Sequence, residues 1–496
     1  MPGLLRALDP LSGLPVYQQI AAHLRAEIEA GERAAGARLP TIRALAAELG
    51  VNRDTVALAY EELARTGLVR ATVGRGTFVA GARADTPPAR PFEPVFSQGV
   101  ARLVDLDRAR PRFEAPGSTV PLHTLVPDPA LYPVAAFRRA LDRALAEAGG
   151  SLLIYAGAFG HEGLRDALAT RFRDEGISLA ADGILLTQGA SEGIALALRA
   201  FADPGDWVAV EEPTYHNVLS AITALGLRVA PVPIRDGAPD LAVLERTLAR
   251  PDVKLLYTMP TFHNPMGTTT SLAHREALLA IAARAGKPVV EDAYEADLRF
   301  EGKPVASLAA LDSRGLVVQI FSFSKSLFPG ARVGCVAAQG AVVEALVSLE
   351  HATDLGGALV LQAALAGFVR SGAYDRHLRV VRRVLRSRRD ALVEALSREM
   401  PEGATWTVPE GGLQLFVELP GGIDTAELAA DAARAGVLFA PGFQFRHDRR
   451  PSSGLRLSLA QADEAAIARG VAALGRVVKA RLRAPGRASR NAGVMV

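Results

Sequence analysis

Cysteine, lysine and long apolar runs are what this sequence has least of. Cys335 is the single cysteine among 496 residues, which excludes a disulfide framework and points to a reducing compartment, the cytoplasm. No apolar run approaches the roughly 20 residues needed to cross a bilayer. The start, Met1-Pro-Gly-Leu-Leu-Arg, has neither a secretory core nor a small-residue cleavage site. A cytoplasmic protein with no membrane partner is therefore expected. Charge of one sign is missing too: a net charge of +3 does not by itself draw a nucleic acid, so any basic footprint must be local. Lysine is confined to Lys254, Lys287, Lys303, Lys325 and Lys479, and arginine carries nearly all the other positive charge. That scarcity makes the placement of Lys325 informative.

Against these absences stands length. At roughly 100–200 residues per domain, the chain predicts two to four folding units. Apolar content of 49% with 22% charged residues is ordinary for a globular protein.

In the first eighty residues, Val16, Ile20, Leu24 and Ile28 recur every four positions and predict one helix with those side chains inward, ended near Gly31. A second helix is predicted after Pro40 and Thr41, a cap-like start, with Ile42, Leu45 and Leu49 inward and Gly50 closing it. Asn52 caps a third, Arg53 to Arg65, with Val56, Tyr60 and Leu63 on one face. Two β-prone runs around Gly74-Arg75-Gly76 then predict a hairpin with an arginine at its tip.

The segments Leu39-Pro-Thr-x-Arg43-x-Leu-Ala, Leu49-Gly-Val-x-Arg53-x-Thr55 and Gly74-Arg-Gly-Thr-Phe78 resemble the winged helix-turn-helix of the GntR superfamily. The resemblance implies a DNA-binding domain over residues 1–80. The helix that begins with Arg53 would enter the major groove, and Arg75, beside Gly76, the neighbouring minor groove. Thr41, Arg43, Thr55 and Thr77 would mostly contact phosphates. The plainer alternative is a three-helix cap whose arginines are solvated surface.

Residues 81–121 are rich in proline, alanine and arginine, lack sustained periodicity and predict a linker. From about Leu122 strand-like and helical runs alternate, the pattern of an α/β sheet. Candidate strands are 183–187, 207–211, 229–233, 254–259, 288–291, 316–321 and 332–337. Functional residues are expected at their ends. The first leads through Thr187-Gln-Gly-Ala-Ser191 into a helical run, and the N–H groups of Gly189, Ala190 and Ser191 suit a phosphate. The same residues serve equally as an ordinary cap. Tyr215 follows a turn, either to stack on a planar ligand or as a plain loop tyrosine. Asn264 before Pro265 is held extended with its amide free to donate, or simply makes a turn. Asp292 ends an apolar strand, where a carboxylate requires a cation such as a protonated pyridine nitrogen, and Tyr294 follows it. The run ending in Ser322, Ser324 and Lys325 is followed by a Pro-Gly turn that returns Arg332 to the same region. A lysine so placed predicts an imine with an aldehyde cofactor that carries a phosphate.

Together, Tyr155-x-x-x-x-Gly160-x-x-x-Leu164-Arg165, Gln188-Gly-Ala-Ser191, Asn264-Pro-x-Gly267, Asp292-x-Tyr294, Ser322-x-Ser-Lys325 and Arg332-x-Gly334 resemble the fold-type I aminotransferases, which use pyridoxal 5′-phosphate. The resemblance covers about residues 120 to 480. It implies a Schiff base at Lys325, with Ser322, Ser324 and Arg332 on the phosphate and Asp292 on the ring nitrogen. Asn264 and Tyr294 would lie near the phenolic oxygen, Tyr215 over the ring, and Arg456 on the α-carboxylate of an amino acid. The implied architecture is multidomain. An α/β winged helix-turn-helix is followed by an α/β/α fold of the PLP-dependent transferase type, with its large domain over residues 122–349 and a small C-terminal α+β domain over 350–482. A disordered tail is expected over 483–496. In the small domain a helical run from Tyr374 to Leu392 puts Leu378, Val381, Leu385 and Leu392 on one face, with its arginines on a solvated or subunit-facing side.

A GntR-type winged helix, a linker and an aminotransferase-like unit in this order resemble the MocR-type transcription regulators. The resemblance implies a PLP-dependent regulator that senses an amino compound, or the vitamin itself, through an internal aldimine at Lys325. It also implies a homodimer on paired half-sites of double-stranded operator DNA. The alternative is an active aminotransferase of an α-amino acid with a fused DNA-binding domain. Asn264-Pro-Met-Gly267 and Arg456 keep the aminotransferase form, while Ala293 replaces an acidic residue that these regulators often have. No metal ligand set is read from the sequence.

Overall fold

The computed structural model describes residue 8 and residues 12–72, 75–81, 94–108 and 117–483. Gly74 of the wing motif, much of the predicted linker and the predicted tail beyond residue 483 lie outside them. The chain divides into two compact units, Met1–Val95 and Phe96–Val496.

In the first unit, α1 (Val16–Glu29), α2 (Ile42–Leu49) and α3 (Arg53–Arg65) close on a core that includes Ile20, Leu24, Leu45, Leu49, Val56, Tyr60 and Leu63. Two predicted core positions do not reach it: Val16 and Ile42 are 40% and 37% exposed. Each is the first residue of its helix. Thr41 and Asn52 cap α2 and α3 by accepting from the N–H groups of Ala44 and Asp54, both at 3.2 Å. The Tyr60 hydroxyl donates to the carbonyl of Pro40 at 2.8 Å and so pins α3 to the start of α2. Burial pushes that phenol up to about 12. Strands β1 (Val69–Thr72) and β2 (Gly76–Val79) pair antiparallel, with Val69 opposite Val79 and both buried against the helices.

The second unit opens with a helix, Gln98–Arg108, inside the stretch whose sequence predicts only linker, and it packs on the helix His216–Ala224. None of its residues is fully buried, and only Gly99, Leu103, Val104 and Leu106 are half-buried. Val100, Leu103 and Val104 do follow helical spacing, but the run is only 11 residues long. Next, β3 (Val120–Pro121) pairs in parallel with the later strand Val437–Leu438.

The main sheet has eight strands. They are β4 (Ile184–Thr187), β5 (Trp207–Glu212), β6 (Arg228–Arg235), β7 (Ala238–Pro239), β8 (Val253–Thr258), β9 (Val289–Asp292), β10 (Val317–Ser322) and β11 (Gly334–Ala337), in the order β4-β11-β10-β9-β8-β5-β6-β7. All seven predicted strands are present, with ends shifted by one or two residues, and β7 is added. Pairing is parallel from β6 through β5, β8 and β9 to β10, whereas β11 runs antiparallel to both neighbours. Successive residues bury on opposite faces: Ile184 and Leu186 enter one core, Leu185 another. A sheet covered on both sides explains why these strands read as continuous apolar runs. The carboxyl ends of β4, β5, β8, β9 and β10 share one edge, and the chemistry gathers there.

A second sheet joins Thr405–Trp406, Gln414–Glu418, Gly454–Ser458 and Ala440–Pro441 beside the paired helices Ala373–Glu399 and Glu464–Arg483. Leu378, Val381, Leu385 and Leu392 are buried as the pattern predicts, but two arginines of that helix depart from the predicted solvated side. Arg388 and Arg389 are each 5% exposed. The first pairs with Asp128 at 2.6 Å and donates to the carbonyl of Ala460, and the second pairs with Glu301 at 2.5 Å. A buried guanidinium is tolerable when its N–H groups find such partners. No helix among the described residues is long and apolar enough to cross a membrane.

Candidate functional site

Lys325 lies just past the end of β10, half-buried, with its Nζ donating to the carbonyl of Leu125 at 3.0 Å. Burial lowers its pKa and nearby Arg456 adds to that, against the opposing pull of Glu295 and Asp292. An amine destabilised as an ammonium is a better nucleophile toward a carbonyl.

Asp292 ends β9, 1% exposed. Its Oδ2 accepts from the Tyr257 hydroxyl at 2.6 Å, and Oδ1 has no hydrogen-bond partner. Burial raises this carboxyl to about 6, although the Tyr257 bond works the other way. Asn264 is also 1% exposed: its Oδ1 accepts from Arg456 at 3.0 Å and its Nδ2 has no partner. The peptide bonds Asn264–Pro265 and Glu212–Pro213 are cis. The turn that carries Asn264 is fixed from below by Glu211, which accepts from Thr258 and from the Met259 N–H and lies 3.1 Å from His263.

Arg456, on Gly454–Ser458, is 4% exposed and extends over the ring of Phe445 at 5.1 Å. It donates to Asn264 and, at 2.7 Å, to the carbonyl of His123, while its Nε has no partner. Burial lowers its pKa to about 10, still far above neutrality. The rings of Tyr215 and Tyr294 are stacked, with centroids 6.4 Å apart and planes 6° from parallel. Asn217 donates to the Tyr215 hydroxyl at 2.7 Å and Gln414 to that of Tyr294 at 3.0 Å.

At the other end of the cavity the helix Ala190–Phe201 presents its N-terminus with no side-chain cap. Arg332 donates to the Gln188 carbonyl at 2.5 Å. Gly189 has φ +95, and a Cβ there would lie 3.3 Å from the Arg332 guanidinium, so a side chain would crowd it. Ser322 accepts from the Ser324 N–H at 3.2 Å.

These residues surround one cavity of about 660 Å³, lined by Ala190, Ser191, Tyr215, Asn264, Asp292, Tyr294, Ser322, Ser324, Lys325, Arg332 and Arg456. Gly189 is the one cofactor residue predicted from sequence that only adjoins it. The residues fit pyridoxal 5′-phosphate on two counts. A buried acceptor, Asp292 Oδ1, and a buried donor, Asn264 Nδ2, both stand empty in the cavity, matching a protonated ring nitrogen and a phenolic oxygen. An open helix N-terminus, Ser191, Ser322, Ser324 and Arg332 form an anion cradle.

Sequence reasoning missed Tyr257, Glu295, Gln414 and His123. Tyr257 is hidden within an apolar strand, and only its register beside β9 puts its hydroxyl on Asp292. Glu295 is wholly buried and raised to about 7 by burial, but among Glu291, Asp292, Asp297 and Arg299 nothing in the sequence sets it apart.

In the first unit, Arg43, Arg53 and Arg75 are exposed, as are Arg38 and Arg70, which the motif did not single out. Thr55, Gly76 and Thr77 are half-buried beside them. Gly76 has φ +113, and a Cβ there would come within 2.8 Å of the Arg38 side chain. Thr41 spends its oxygen as an acceptor in the α2 cap, which leaves its hydroxyl hydrogen to donate.

A winged helix-turn-helix in one chain with an aminotransferase-type sheet that carries a lysine-centred cavity defines the class. Residues 127–474 match the family described as "Aminotransferase class I and II", and residues 16–79 that described as "Bacterial regulatory proteins, gntR family". The "Probable rhizopine catabolism regulatory protein MocR" of Rhizobium meliloti is 30% identical over 475 residues, 94% of each chain. The "HTH-type transcriptional regulator YdcR" of Escherichia coli is 31% identical over 94% of this chain and 99% of its own. Among solved structures, the kynurenine aminotransferase of Pyrococcus horikoshii superposes with a TM-score of 0.72 at 31% identity, over 80% of this chain and 98% of that one. The chain belongs to the MocR-type regulators, in which a gntR-family helix-turn-helix is fused to a class I and II aminotransferase domain.

Proposed function

We propose that this protein is a pyridoxal 5′-phosphate-dependent DNA-binding transcriptional regulator that senses an amino compound at Lys325. The observation that carries the reading is the pair of empty buried groups, Asp292 Oδ1 and Asn264 Nδ2, in the cavity that holds Lys325. When bound, the cofactor supplies an aldehyde carbon and an electron-withdrawing ring. The chain's own part is to place and protonate. The helix N-terminus at Ala190, with Ser191, Ser322, Ser324 and Arg332, holds the phosphate. Asp292, supported by Tyr257, keeps a proton on the ring nitrogen. Asn264 and Tyr294 direct N–H and O–H groups at the phenolic oxygen, and Tyr215 covers the ring. Lys325 would supply the amine that holds the aldehyde carbon. Arg456 has a free Nε–H toward an α-carboxylate, so an α-amino acid is the preferred class of effector. Exposed Arg43, Arg53 and Arg75 serve operator DNA, with Thr41, Thr55, Gly76 and Thr77 beside the phosphates and minor groove. A homodimer would set two such faces on paired half-sites in the cytoplasm.

The test is a mobility-shift assay on the gene's own upstream region, with cofactor and a panel of amino acids. One amino acid should change the affinity by at least about fivefold, the low end of usual coupling energies. If none of the panel moves it, the sensing role is wrong.

A second reading, a working aminotransferase, is favoured by the intact pairing of Arg456 with Asn264 at 3.0 Å. It requires repeated turnovers with an amino donor and an oxo-acid acceptor. A half-reaction that stalls counts for regulation.

A further inference from the structure

Behind the helix start that faces the cavity stand three carboxylates. Glu192, in the first turn of helix Ala190–Phe201, Glu350, in helix Ala341–Thr353, and Asp354, which follows that helix, each place an oxygen within 4.8 Å of the other two. Two of them are anchored. Glu192 accepts from the Gln188 N–H at 2.6 Å, and Asp354 accepts from the Leu355 N–H at 2.8 Å and from the Gln188 side-chain amide. Glu350 is not. Its side chain is 0% exposed, and neither Oε1 nor Oε2 has a hydrogen-bond partner.

A buried carboxylate with both oxygens empty, facing two more carboxylates, does not stay ionised unless something positive joins it. Buried polar groups without partners are rare in native proteins, so two on one side chain point to a ligand.

We propose that Glu192, Glu350 and Asp354 form a divalent-cation site that takes calcium. The donors are oxygen only, which suits a hard cation and not zinc or copper. Calcium accepts oxygens at about 2.3–2.6 Å, so opposite ligands stand roughly 4.6–5.2 Å apart, against roughly 4.2 Å around magnesium. The three oxygens, none more than 4.8 Å from another, fall within the span of a calcium coordination sphere. The two free oxygens of Glu350 offer the bidentate contact that calcium commonly uses. Glu192 and Asp354 are half-buried and give the ion a path from solvent.

The site is joined to the cavity through one residue. Gln188 donates to both Glu192 and Asp354, while its carbonyl accepts from Arg332. The calcium assignment stands on the carboxylates alone and does not depend on what the cavity holds.

The test is calorimetric titration of the full chain, with cofactor and after chelator treatment, by calcium chloride and in parallel by magnesium chloride. One saturable calcium site per chain is expected, with magnesium at least about tenfold weaker. Glu350→Gln and Asp354→Asn should each weaken calcium at least about tenfold. Circular dichroism checks that they fold, and if Glu350→Gln does not, the half-buried Asp354→Asn decides. Three results would overturn the proposal. No saturable binding up to millimolar calcium would mean that a proton neutralises Glu350. Undiminished binding by Asp354→Asn would put the ion elsewhere. Equal or tighter magnesium binding would remove the calcium assignment.

Discussion

Arg456 donates from its guanidinium to Asn264 Oδ1 at 3.0 Å, and in doing so fixes which end of the Asn264 amide faces the cavity. The amide nitrogen, with no partner of its own, is turned inward as a donor. One arginine thus sets the orientation of the Asn264 amide, and its own Nε has no hydrogen-bond partner.

The first prediction follows from that link. Arg456→Lys keeps the charge but loses the planar fork, so it should weaken an α-amino acid effector by about 10- to 100-fold, the worth of a charge-assisted hydrogen bond. Titration against a simple primary amine without a carboxylate is the control. Equal losses for both compounds would show that Arg456 shapes the cavity and does not read a carboxylate.

Lys325→Ala should remove the near-visible absorbance of the bound cofactor and any response of DNA affinity to an added amino acid, while the winged helix stays folded, since only one half-buried side chain of the other unit is truncated. Absorption spectra and fluorescence anisotropy on the same samples check this. A retained band would mean that another lysine is used.

Arg53→Ala and Arg75→Ala should each weaken binding to the upstream region. A lost base contact costs about 1–3 kcal/mol and relaxes specificity, whereas a lost phosphate contact lowers the salt slope by about one. The cofactor band should be unchanged in both. Unaltered DNA affinity would withdraw the winged-helix assignment from these residues.

Asp292 gives a pH dependence whose sign can be worked out. Its carboxyl is raised from the ordinary 3.8 to about 6 by burial, so the folded chain binds this proton more tightly than the unfolded chain does. The cofactor-free protein therefore loses stability as pH rises from about 4 through about 6, by up to about 3 kcal/mol. Asp292→Asn, which still accepts from Tyr257, should flatten that step and be the more stable protein above pH 6 without cofactor. With cofactor the order should reverse, because the ionised carboxylate then meets the ring N–H. Thermal melts across pH 4–8 decide it.

In the first unit, Tyr60→Phe deletes the bond to Pro40 and leaves a buried carbonyl without it, at a cost of about 1–3 kcal/mol. Hydrogen exchange over residues 16–79 should rise while exchange around Lys325 stays unchanged. Equal protection in both proteins would show that this bond does not hold α3 to α2.

Much of this was legible in the sequence because the strands of the main sheet are buried on both faces and read as unbroken apolar runs. The chemistry sits where those runs end, at Asp292 and at Ser322 to Lys325. What was not legible depends on partners distant in sequence. Tyr257 looks like any strand residue until β8 lies beside β9 and its hydroxyl meets Asp292. Arg388 and Arg389 look solvated until Asp128 and Glu301 fold back onto them. The helix Gln98–Arg108 escaped because it buries none of its residues fully. The cluster around Glu350 escaped for a different reason, since one carboxylate in the helix Ala341–Thr353 gives no sign of the two others that meet it.

The central claim, that the state of Lys325 sets DNA affinity, is tested most directly in one cuvette. Cofactor absorbance and the anisotropy of labelled upstream DNA are followed together as an amino acid effector is added at fixed salt. The account predicts that both signals change with the same midpoint and that Lys325→Ala shows neither change. An absorbance change at constant anisotropy would contradict it.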